Sequence, residues 1–272
     1  MKKRGSLAFW LAIAVLLGVS LLPYFWLVLT SLKNRPDILV APPRVLVTPT
    51  LQNYSIILGD KGFGGYLTNS LVVGLSSTVL AVGIGTLAAY GFSRFRVPAG
   101  NHLFFYILST RLGPPVAYAL PMYLLFYKLG LLSINAGVII AHATFNLVLV
   151  VWMMKSFFDE VPREVEEAAY LDGCSHYQVL WRIALPMALP GLATVAIFVL
   201  LFSWNELLFA LLLSAGQMRT VTVMIPSLVM HTGTLWGEVA AASVLQTIPV
   251  LVFTFLMQKH LVRGLTFGAV KG

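Results

Sequence analysis

Residues 162–186 read PREVEEAAYLDGCSHYQVLWRIALP, a polar segment between two long apolar runs. The segment holds four of the ten acidic residues of the chain, namely Glu164, Glu166, Glu167 and Asp172. Of the 272 residues, 58% are hydrophobic and only 10% are charged, whereas soluble domains carry about 25% charged residues. The composition therefore predicts an all-α polytopic membrane protein in which this segment faces water.

Six stretches are long and apolar enough to cross a bilayer, because a spanning helix needs about 20 apolar residues. The predicted spans are 7–31, 66–93, 103–127, 133–154, 183–214 and 239–258. We expect residues 1–272 to form a single transmembrane domain, with a loop over 155–182 between the fourth and fifth helices. The first run exceeds the apolar region of a signal peptide and no cleavage site follows, so we expect an uncleaved helix.

Residues 220–237 are also uncharged, but Pro226 and two glycines interrupt them. We expect an interfacial or re-entrant segment there. Residues 32–65 are rich in proline and glycine and form the longest predicted external segment.

The distribution of Lys and Arg predicts the orientation. Eleven lie at the termini and in the second-to-third and fourth-to-fifth loops, whereas six lie in the other three connections. The positive-inside rule therefore predicts that both termini and the loop 155–182 are cytoplasmic. Basic residues that flank membrane spans also explain the net charge of +8, so the charge is no argument for a nucleic-acid partner.

The polar segment has the pattern of two short helices joined at a glycine. Pro162 suits a first helical position, and Gly173 suits the left-handed residue that ends a helix. Ser175 followed by Gln178 is a capping-box pattern for a second helix. Apolar residues repeat at i, i+3 and i+4 in both helices: Val165, Ala168, Ala169, and Tyr177, Leu180, Trp181. By helix pattern alone, these apolar faces could lie on the protein's own bundle or on the lipid interface.

The spacing within the segment narrows this choice. Glu167-Ala168-Ala169 is followed after three residues by Gly173, and after nine more by Ile183-Ala184-Leu185-Pro186. This resembles the EAA-x3-G-x9-I-x-LP signature of the membrane subunits of binding-protein-dependent ABC importers. GFSRFRVPAG, PPVAYALPMYLLFYKLGLL, WNELLFALLL and GLTFGAVKG are similar to the carbohydrate branch of that group, in particular to the smaller permease of maltose-type sugar importers.

The resemblance implies a permease subunit of the bacterial inner membrane that moves a sugar while a separate subunit hydrolyses ATP. It also implies a second homologous permease, two copies of a cytoplasmic ABC ATPase and an extracytoplasmic solute-binding protein. The residues expected to couple to the ATPase are Glu166, Glu167, Ala168, Ala169, Asp172, Gly173, Tyr177, Leu180 and Pro186. The tail 264–272 is expected to reach along the ATPase interface.

Known catalytic and metal motifs are missing from the sequence. No G-x-x-x-x-G-K-[ST] stretch is present, so ATP and Mg²⁺ are expected on the ATPase and this chain is not expected to be an enzyme. A single cysteine, Cys174, excludes an internal disulfide or a thiolate cluster. The five histidines are scattered singly, and no cofactor or metal site is expected.

Polar residues within the apolar runs are candidates for the substrate path, because a charge in the bilayer is costly. Arg111 either serves function, snorkels, or pairs with a backbone carbonyl. Glu206, with Asn205, lies in the fifth run and could line the path, contact the binding protein, or pair with Arg111. His142 and Asn146 share one helix face and are more typical of interhelical hydrogen bonding than of ligand binding. The expected path residues are Arg111, Asn146, Asn205 and Glu206.

Two other function classes remain open at this point. An ion-coupled secondary transporter of a small polar solute usually needs buried carboxylates or repeated halves, and only Glu206 is a membrane carboxylate. An intramembrane enzyme needs a catalytic cluster, and no simple helical register brings Arg111, His142 and Glu206 together.

Overall fold

The computed structural model describes residues 7–132, 134–214, 218–230 and 233–267, and these are mainly helical. The first half contains helices α1 (Leu7–Ser31), α2 (Arg35–Ile38), α3 (Gln52–Ser55) with a π-helical turn (Ile56–Asp60), α4 (Phe63–Arg94), α5 (Gly100–Thr110) and α6 (Pro115–Lys128). The second half contains α7 (Asn135–Glu160), α8 (Arg163–Leu171), α9 (His176–Val179), a π-helical turn (Leu180–Ala184), α10 (Leu185–Met187), α11 (Leu189–Trp204), α12 (Leu208–Leu213), α13 (Val221–Ser227) and α14 (Trp236–Phe267). A two-residue antiparallel pair, β1 (Val229–Met230) and β2 (Gly233–Thr234), precedes α14.

Four helices in the described part of the chain are long and apolar enough to cross a membrane. They are Phe9–Ser31, Phe63–Arg94, Asn135–Glu160 and Trp236–Gln258. A bent pair, His176–Met187 with Leu189–Trp204 at 78°, counts as a fifth if it forms one span. The six-span arrangement stays a prediction.

The third predicted span differs from the single helix that its hydropathy suggests. Residues 103–127 belong to two helices, α5 and α6, with a break after Thr110. Pro114 has extended backbone (ψ 129°) and Pro115 begins α6. A residue that precedes proline is driven out of the helical region, so the Gly113-Pro114-Pro115 sequence ends one helix and starts the next.

The fifth predicted span, 183–214, is also interrupted. It consists of the π-helical turn, α10, α11 and α12, with Asn205–Leu207 outside any helix. Pro186 and Pro190 lie at the helix starts, where a missing N–H is tolerated.

The chain forms two compact units, the first comprising Met1–Gly65 and Met224–Pro249. In this first unit, the buried Asn53 Nδ2 donates to the carbonyls of Ser31 and Lys33, both at 2.9 Å. Arg35 Nη2 lies 2.9 Å from Glu238 Oε1. The bonds of Asn53 connect α3 with the segment that comes directly after α1. The Arg35–Glu238 pair connects α2 with the start of α14.

The second unit, Tyr66–Val223 and Val250–Gly272, contains a core of small and branched side chains. Its buried residues include Ala81, Ala89, Val150, Met154, Phe158, Val195 and Val199. A Cβ on Gly85 would lie 2.7 Å from Val150 Cβ. The backbone of α4 therefore approaches α7 to a distance that only glycine permits.

We expect Gly85→Ala to destabilise the protein, because the added methyl group overpacks the contact with Val150, at a cost of about 1–3 kcal/mol. Gly83 is the matched control, since it lies on the same helix and nothing is within 4 Å of a Cβ there. Gly83→Ala should leave stability unchanged or raise it by up to about 1 kcal/mol through helix propensity. Thermal unfolding of the detergent-purified variants measures both; equal midpoints would contradict the expectation.

Candidate functional site

A buried ion pair anchors the predicted coupling segment to the rest of its unit. Glu166 on α8 is only 3% exposed. Its Oε1 accepts from Arg94 Nε at 2.8 Å, and its Oε2 accepts from the hydroxyl of Tyr90 at 3.1 Å. Arg94 Nη2 also donates to the carbonyls of Phe158 (2.7 Å) and Val161 (2.9 Å) at the end of α7. One guanidinium therefore joins the ends of α4 and α7 to the middle of α8.

A second set of polar contacts surrounds this pair. Ser93 Oγ accepts from Arg94 Nη1 (2.8 Å) and donates to Asp159 Oδ1 (2.6 Å). Lys155 pairs with Asp159 at 2.6 Å, and Arg163 Nη2 donates to the Ser93 carbonyl at 3.2 Å. These contacts leave Arg94 with a partner on each of its three nitrogens. Sequence reasoning did not select Arg94 as a site residue, although a basic residue at the end of a predicted span was the available signal.

The end of α8 confirms the prediction that the two short helices are joined at Gly173. We call this joint the elbow. Gly173 has φ of +86°, in the left-handed region. Its N–H donates to the Tyr170 carbonyl at 3.1 Å, and the N–H of Cys174 donates to the Ala169 carbonyl at 3.0 Å. This pair of bonds is the Schellman motif, which satisfies carbonyls that a helix end leaves free.

The start of α9 confirms the predicted capping box. Ser175 Oγ accepts from the N–H of Gln178 at 3.3 Å, and Gln178 Oε1 accepts from the N–H of Ser175 at 2.8 Å. Pro162 is the N-cap of α8 rather than its first residue, so the helix begins one position later than expected. The elbow thus has two capped ends separated by a single residue, Cys174.

The residues predicted for ATPase coupling divide into two groups. Six are exposed: Glu167, Ala168, Asp172, Gly173, Tyr177 and Pro186. Three are buried: Glu166, Ala169 and Leu180. Leu180 does not share the exposed face of Tyr177 and Trp181, because it begins the π-helical turn and packs in the core. The buried group holds the segment in place and the exposed group forms its surface.

Polar side chains in the apolar runs form a continuous chain of hydrogen bonds that is buried except at Glu206, which is partly exposed. His142 Nε2 lies 2.9 Å from Glu206 Oε2, and His142 Nδ1 lies 2.9 Å from Ser203 Oγ. Ser203 Oγ in turn lies 2.7 Å from Ser77 Oγ. The expectation that no simple helical register brings Arg111, His142 and Glu206 together is therefore wrong for the pair His142 and Glu206. The fifth run breaks after Trp204, and this break turns the Glu206 carboxylate toward α7.

Glu206 also caps the short helix α12. Its carboxylate accepts from the N–H of Phe209 (3.0 and 3.1 Å) and from the N–H of Ala210 (3.1 Å). Carboxylates are favoured at helix N-termini. Asn205 next to it is exposed, and its Nδ2 donates to the Leu201 carbonyl at 2.8 Å. Of these two neighbouring path residues, Asn205 and Glu206, Glu206 has the more extensive contacts within the protein.

Arg111 has partners other than Glu206. Its Nη1 donates to the Phe145 carbonyl at 2.6 Å, and its guanidinium carbon lies 5.1 Å from the ring centroid of Phe202. This matches the backbone-carbonyl alternative of the sequence reading. Asn146, adjacent to Phe145 on α7, is buried at 4% exposure.

A cavity of about 480 Å³ lies beside Arg111. Its wall is mainly apolar and includes the aromatic rings of Tyr106, Tyr118 and Phe145. The rings of Tyr118 and Phe145 meet edge to face at 5.8 Å. The site therefore combines aromatic surface with one guanidinium, and in the described residues no group of His, Cys, Asp and Glu is arranged to hold a metal ion.

Comparison with known proteins identifies the class of protein. Residues 81–267 match the family described as "Binding-protein-dependent transport system inner membrane component". The chain belongs to this family. Such a transport component is the membrane-spanning permease subunit of an ABC importer, and ATP hydrolysis resides in separate subunits.

The relatives of this transport component align with nearly its whole length. The trehalose transport system permease protein SugB of Mycobacterium tuberculosis is 36% identical over 265 residues, which is 95% of each chain. The trehalose/maltose transport system permease protein MalG of Thermococcus litoralis is 33% identical over 264 residues, again 95% of each chain. A subunit of a solved bacterial ABC transporter for import of the acidic polysaccharide alginate has the same fold, with a TM-score of 0.77 and 24% identity over 95% of this chain and 98% of the other.

For this permease we expect Glu166→Gln to lower the thermal unfolding midpoint, because the change leaves Arg94 buried without a counter-charge. Removing one member of a buried pair costs about 3–5 kcal/mol. The control is Glu167→Gln, the same change at the adjacent, exposed position, which should stay within about 0.5 kcal/mol of the wild type. Equal midpoints for the two variants would show that the buried pair does not hold α8.

Proposed function

We propose that this chain is one of two homologous permease subunits of a bacterial sugar importer. Two copies of a cytoplasmic ATPase and an extracytoplasmic solute-binding protein complete the transporter, and both termini of the chain are cytoplasmic. The observation that carries the sugar assignment is the 36% identity over 95% of the chain to a trehalose permease. The trehalose/maltose permease supports the same substrate class.

We propose that the exposed side of α8 and α9 docks on the ATPase. Leu171 is 90% exposed and Tyr177 is 71% exposed, and the segment also exposes the acidic residues Glu167 and Asp172. Apolar side chains this exposed, on a segment anchored by a buried ion pair, are suited to a protein interface. Glu166 connects α8 through Arg94 to the ends of α4 and α7. A displacement of the docked surface therefore moves those two helices as well.

We propose that the cavity beside Arg111 is part of the substrate path. Aromatic rings stack on sugar rings, and a guanidinium donates several hydrogen bonds to hydroxyl groups. The side chain of Arg111 forms one hydrogen bond within the described residues, to the Phe145 carbonyl. Donors therefore remain for a sugar, and Asn146, Asn205 and Glu206 are further candidates along the same path.

We expect Gly173→Asp to release or uncouple the ATPase while the protein stays in the membrane. The change adds a negative charge and a side chain at the proposed docking surface. Copurification with the ATPase and substrate-stimulated ATP hydrolysis in proteoliposomes measure the effect. We expect stimulation to fall by roughly tenfold, the effect of about 1.4 kcal/mol.

Gly130→Asp is the matched control for backbone strain. Gly130 also has a positive φ (+67°), and neither glycine has an atom within 4 Å of an added Cβ. The two variants therefore share the strain of a non-glycine residue in the left-handed region, roughly 1–2 kcal/mol, but differ in location. If substrate stimulates ATP hydrolysis equally in transporters that carry Gly173→Asp and in those that carry Gly130→Asp, the docking assignment is incorrect.

For the path, we expect Arg111→Ala to reduce uptake by roughly tenfold, because a hydrogen bond to a charged group contributes about 1.5–3 kcal/mol. Sugars that stimulate ATP hydrolysis by the assembled transporter are identified first, and uptake of one of them is then measured. Arg219→Ala at an exposed arginine is the control. Normal uptake by well-assembled Arg111→Ala protein would leave Arg111 with a structural role only.

A further inference from the structure

Lys33 is a buried cation in the first compact unit. It lies two residues beyond the end of α1, and it is only 2% exposed. Its Nζ lies 4.5 Å from the ring centroid of Trp26. Within residues 7–132, 134–214, 218–230 and 233–267, no carboxylate or hydrogen-bond acceptor contacts this ammonium group. A buried ammonium without an anion carries a large desolvation cost.

Neighbouring acid does not neutralise Lys33. Glu238 is the buried carboxylate of this unit: its Oε1 pairs with Arg35 at 2.9 Å, and its Oε2 has no hydrogen-bond partner among the described residues, Lys33 included. Asp37 pairs with Arg44 at 3.5 Å. The Lys33 charge is therefore left over after these two pairs are formed, and an anion from outside the described chain would complete it.

The backbone around Lys33 is fixed in place. Asn53 Nδ2 donates to the carbonyls of Ser31 and Lys33, both at 2.9 Å. Ser31 Oγ lies 2.7 Å from the hydroxyl of Tyr54, and the N–H of Thr50 donates to the Leu32 carbonyl at 2.8 Å. Four hydrogen bonds thus fix the backbone on both sides of Lys33 at the end of a membrane helix.

A cavity of about 390 Å³ adjoins Lys33. Pro23, Trp26 and Leu27 of α1 line one side, and Trp236 and Val239 of α14 line another. Eight helical residues follow Pro23 to the end of α1 at Ser31, which corresponds to about 12 Å along the helix axis, and Lys33 lies two residues further on. The cavity therefore extends from the level of Lys33, just outside the apolar span, to the depth of the hydrocarbon region.

We propose that this cavity binds a phospholipid with a net negative headgroup. The phosphate would pair with Lys33 at the membrane surface, where lysine binds phosphate as a point charge. An acyl chain would lie along the apolar wall formed by Trp26 and Leu27. The outer surface of α1 supports a lipid occupant, because none of the residues in its most apolar stretch is buried. A soluble anion would satisfy Lys33 but would leave the apolar wall unoccupied.

The test uses the full-length chain purified with its partner subunits and incubated with phosphatidylglycerol or with phosphatidylcholine. Native mass spectrometry counts the lipids that remain bound. Phosphatidylglycerol should stay bound to the wild type and to Lys33→Arg. It should bind about tenfold more weakly to Lys33→Gln, which loses the charge, as expected for one charge-assisted hydrogen bond. Phosphatidylcholine should show no such difference.

Lys128→Gln is the matched control, because Lys128 is an exposed lysine at the end of another helix, and its lipid retention should equal that of the wild type. Lys33→Met tests folding independently: an apolar side chain fits a buried position, so this variant should stay folded yet lose the bound lipid. Equal retention by the wild type, Lys33→Gln and Lys33→Met would overturn the proposal. Displacement of the lipid by inorganic phosphate alone would overturn it as well. So would a photocrosslink to another subunit, instead of to lipid, from a photoreactive residue at position 39, where Leu39 also lines the cavity.

Discussion

The geometry of the predicted coupling segment, α8 and α9, depends on one guanidinium. Arg94 uses its three nitrogens to contact the Glu166 carboxylate, the Ser93 hydroxyl and the carbonyls of Phe158 and Val161. Those carbonyls belong to the end of α7, where a helix leaves acceptors without intrahelical donors. Both side chains of the ion pair are nearly inaccessible, at 7% and 4% exposure. Loss of the guanidinium would leave an unpaired carboxylate and free carbonyls inside the protein, so α8 has no equivalent alternative position.

A similar constraint operates deeper in the same unit. The chain from Ser77 through Ser203 and His142 to Glu206 ends at the amide groups that begin α12. In an apolar core each of these polar groups needs its partner, because an unpaired one is costly. The break after Trp204 is therefore stabilised by the carboxylate that it turns inward. Polar atoms therefore connect four helices in an otherwise apolar environment, namely α4, α7, α11 and α12.

Features that depend on local chemistry could be predicted from the sequence. Gly173, Ser175 and Gln178 act through backbone groups three to five residues away, so the order of residue types determined their roles. The partners of Arg94 and His142 could not be predicted in this way. Glu166 is 72 residues from Arg94, and Glu206 is 64 residues from His142. Such pairings depend on how helices are oriented in three dimensions, which hydropathy does not encode.

The third apolar run shows a different limit. Averaged hydropathy predicted one helix over 103–127, although Pro114 and Pro115 were visible in the middle of the run. Window averages measure transfer to lipid, whereas helix continuity depends on single backbone positions. A related limit applies to Leu180, which the α-helical periodicity predicted on one face with Tyr177 and Trp181: a π-helical turn occupies 180–184, where that periodicity no longer applies.

The elbow at Gly173 has a kinetic consequence. Its hydrogen bonds join Gly173 to Tyr170, Cys174 to Ala169 and Ser175 to Gln178, all close neighbours in the chain. Contacts of such short sequence separation form within about a microsecond, far faster than a transporter turns over at typical rates of protein catalysis. The elbow therefore reforms rapidly after any local opening. A partner that bound the elbow would meet a surface that is already ordered, so little of its binding free energy would be spent on ordering the segment.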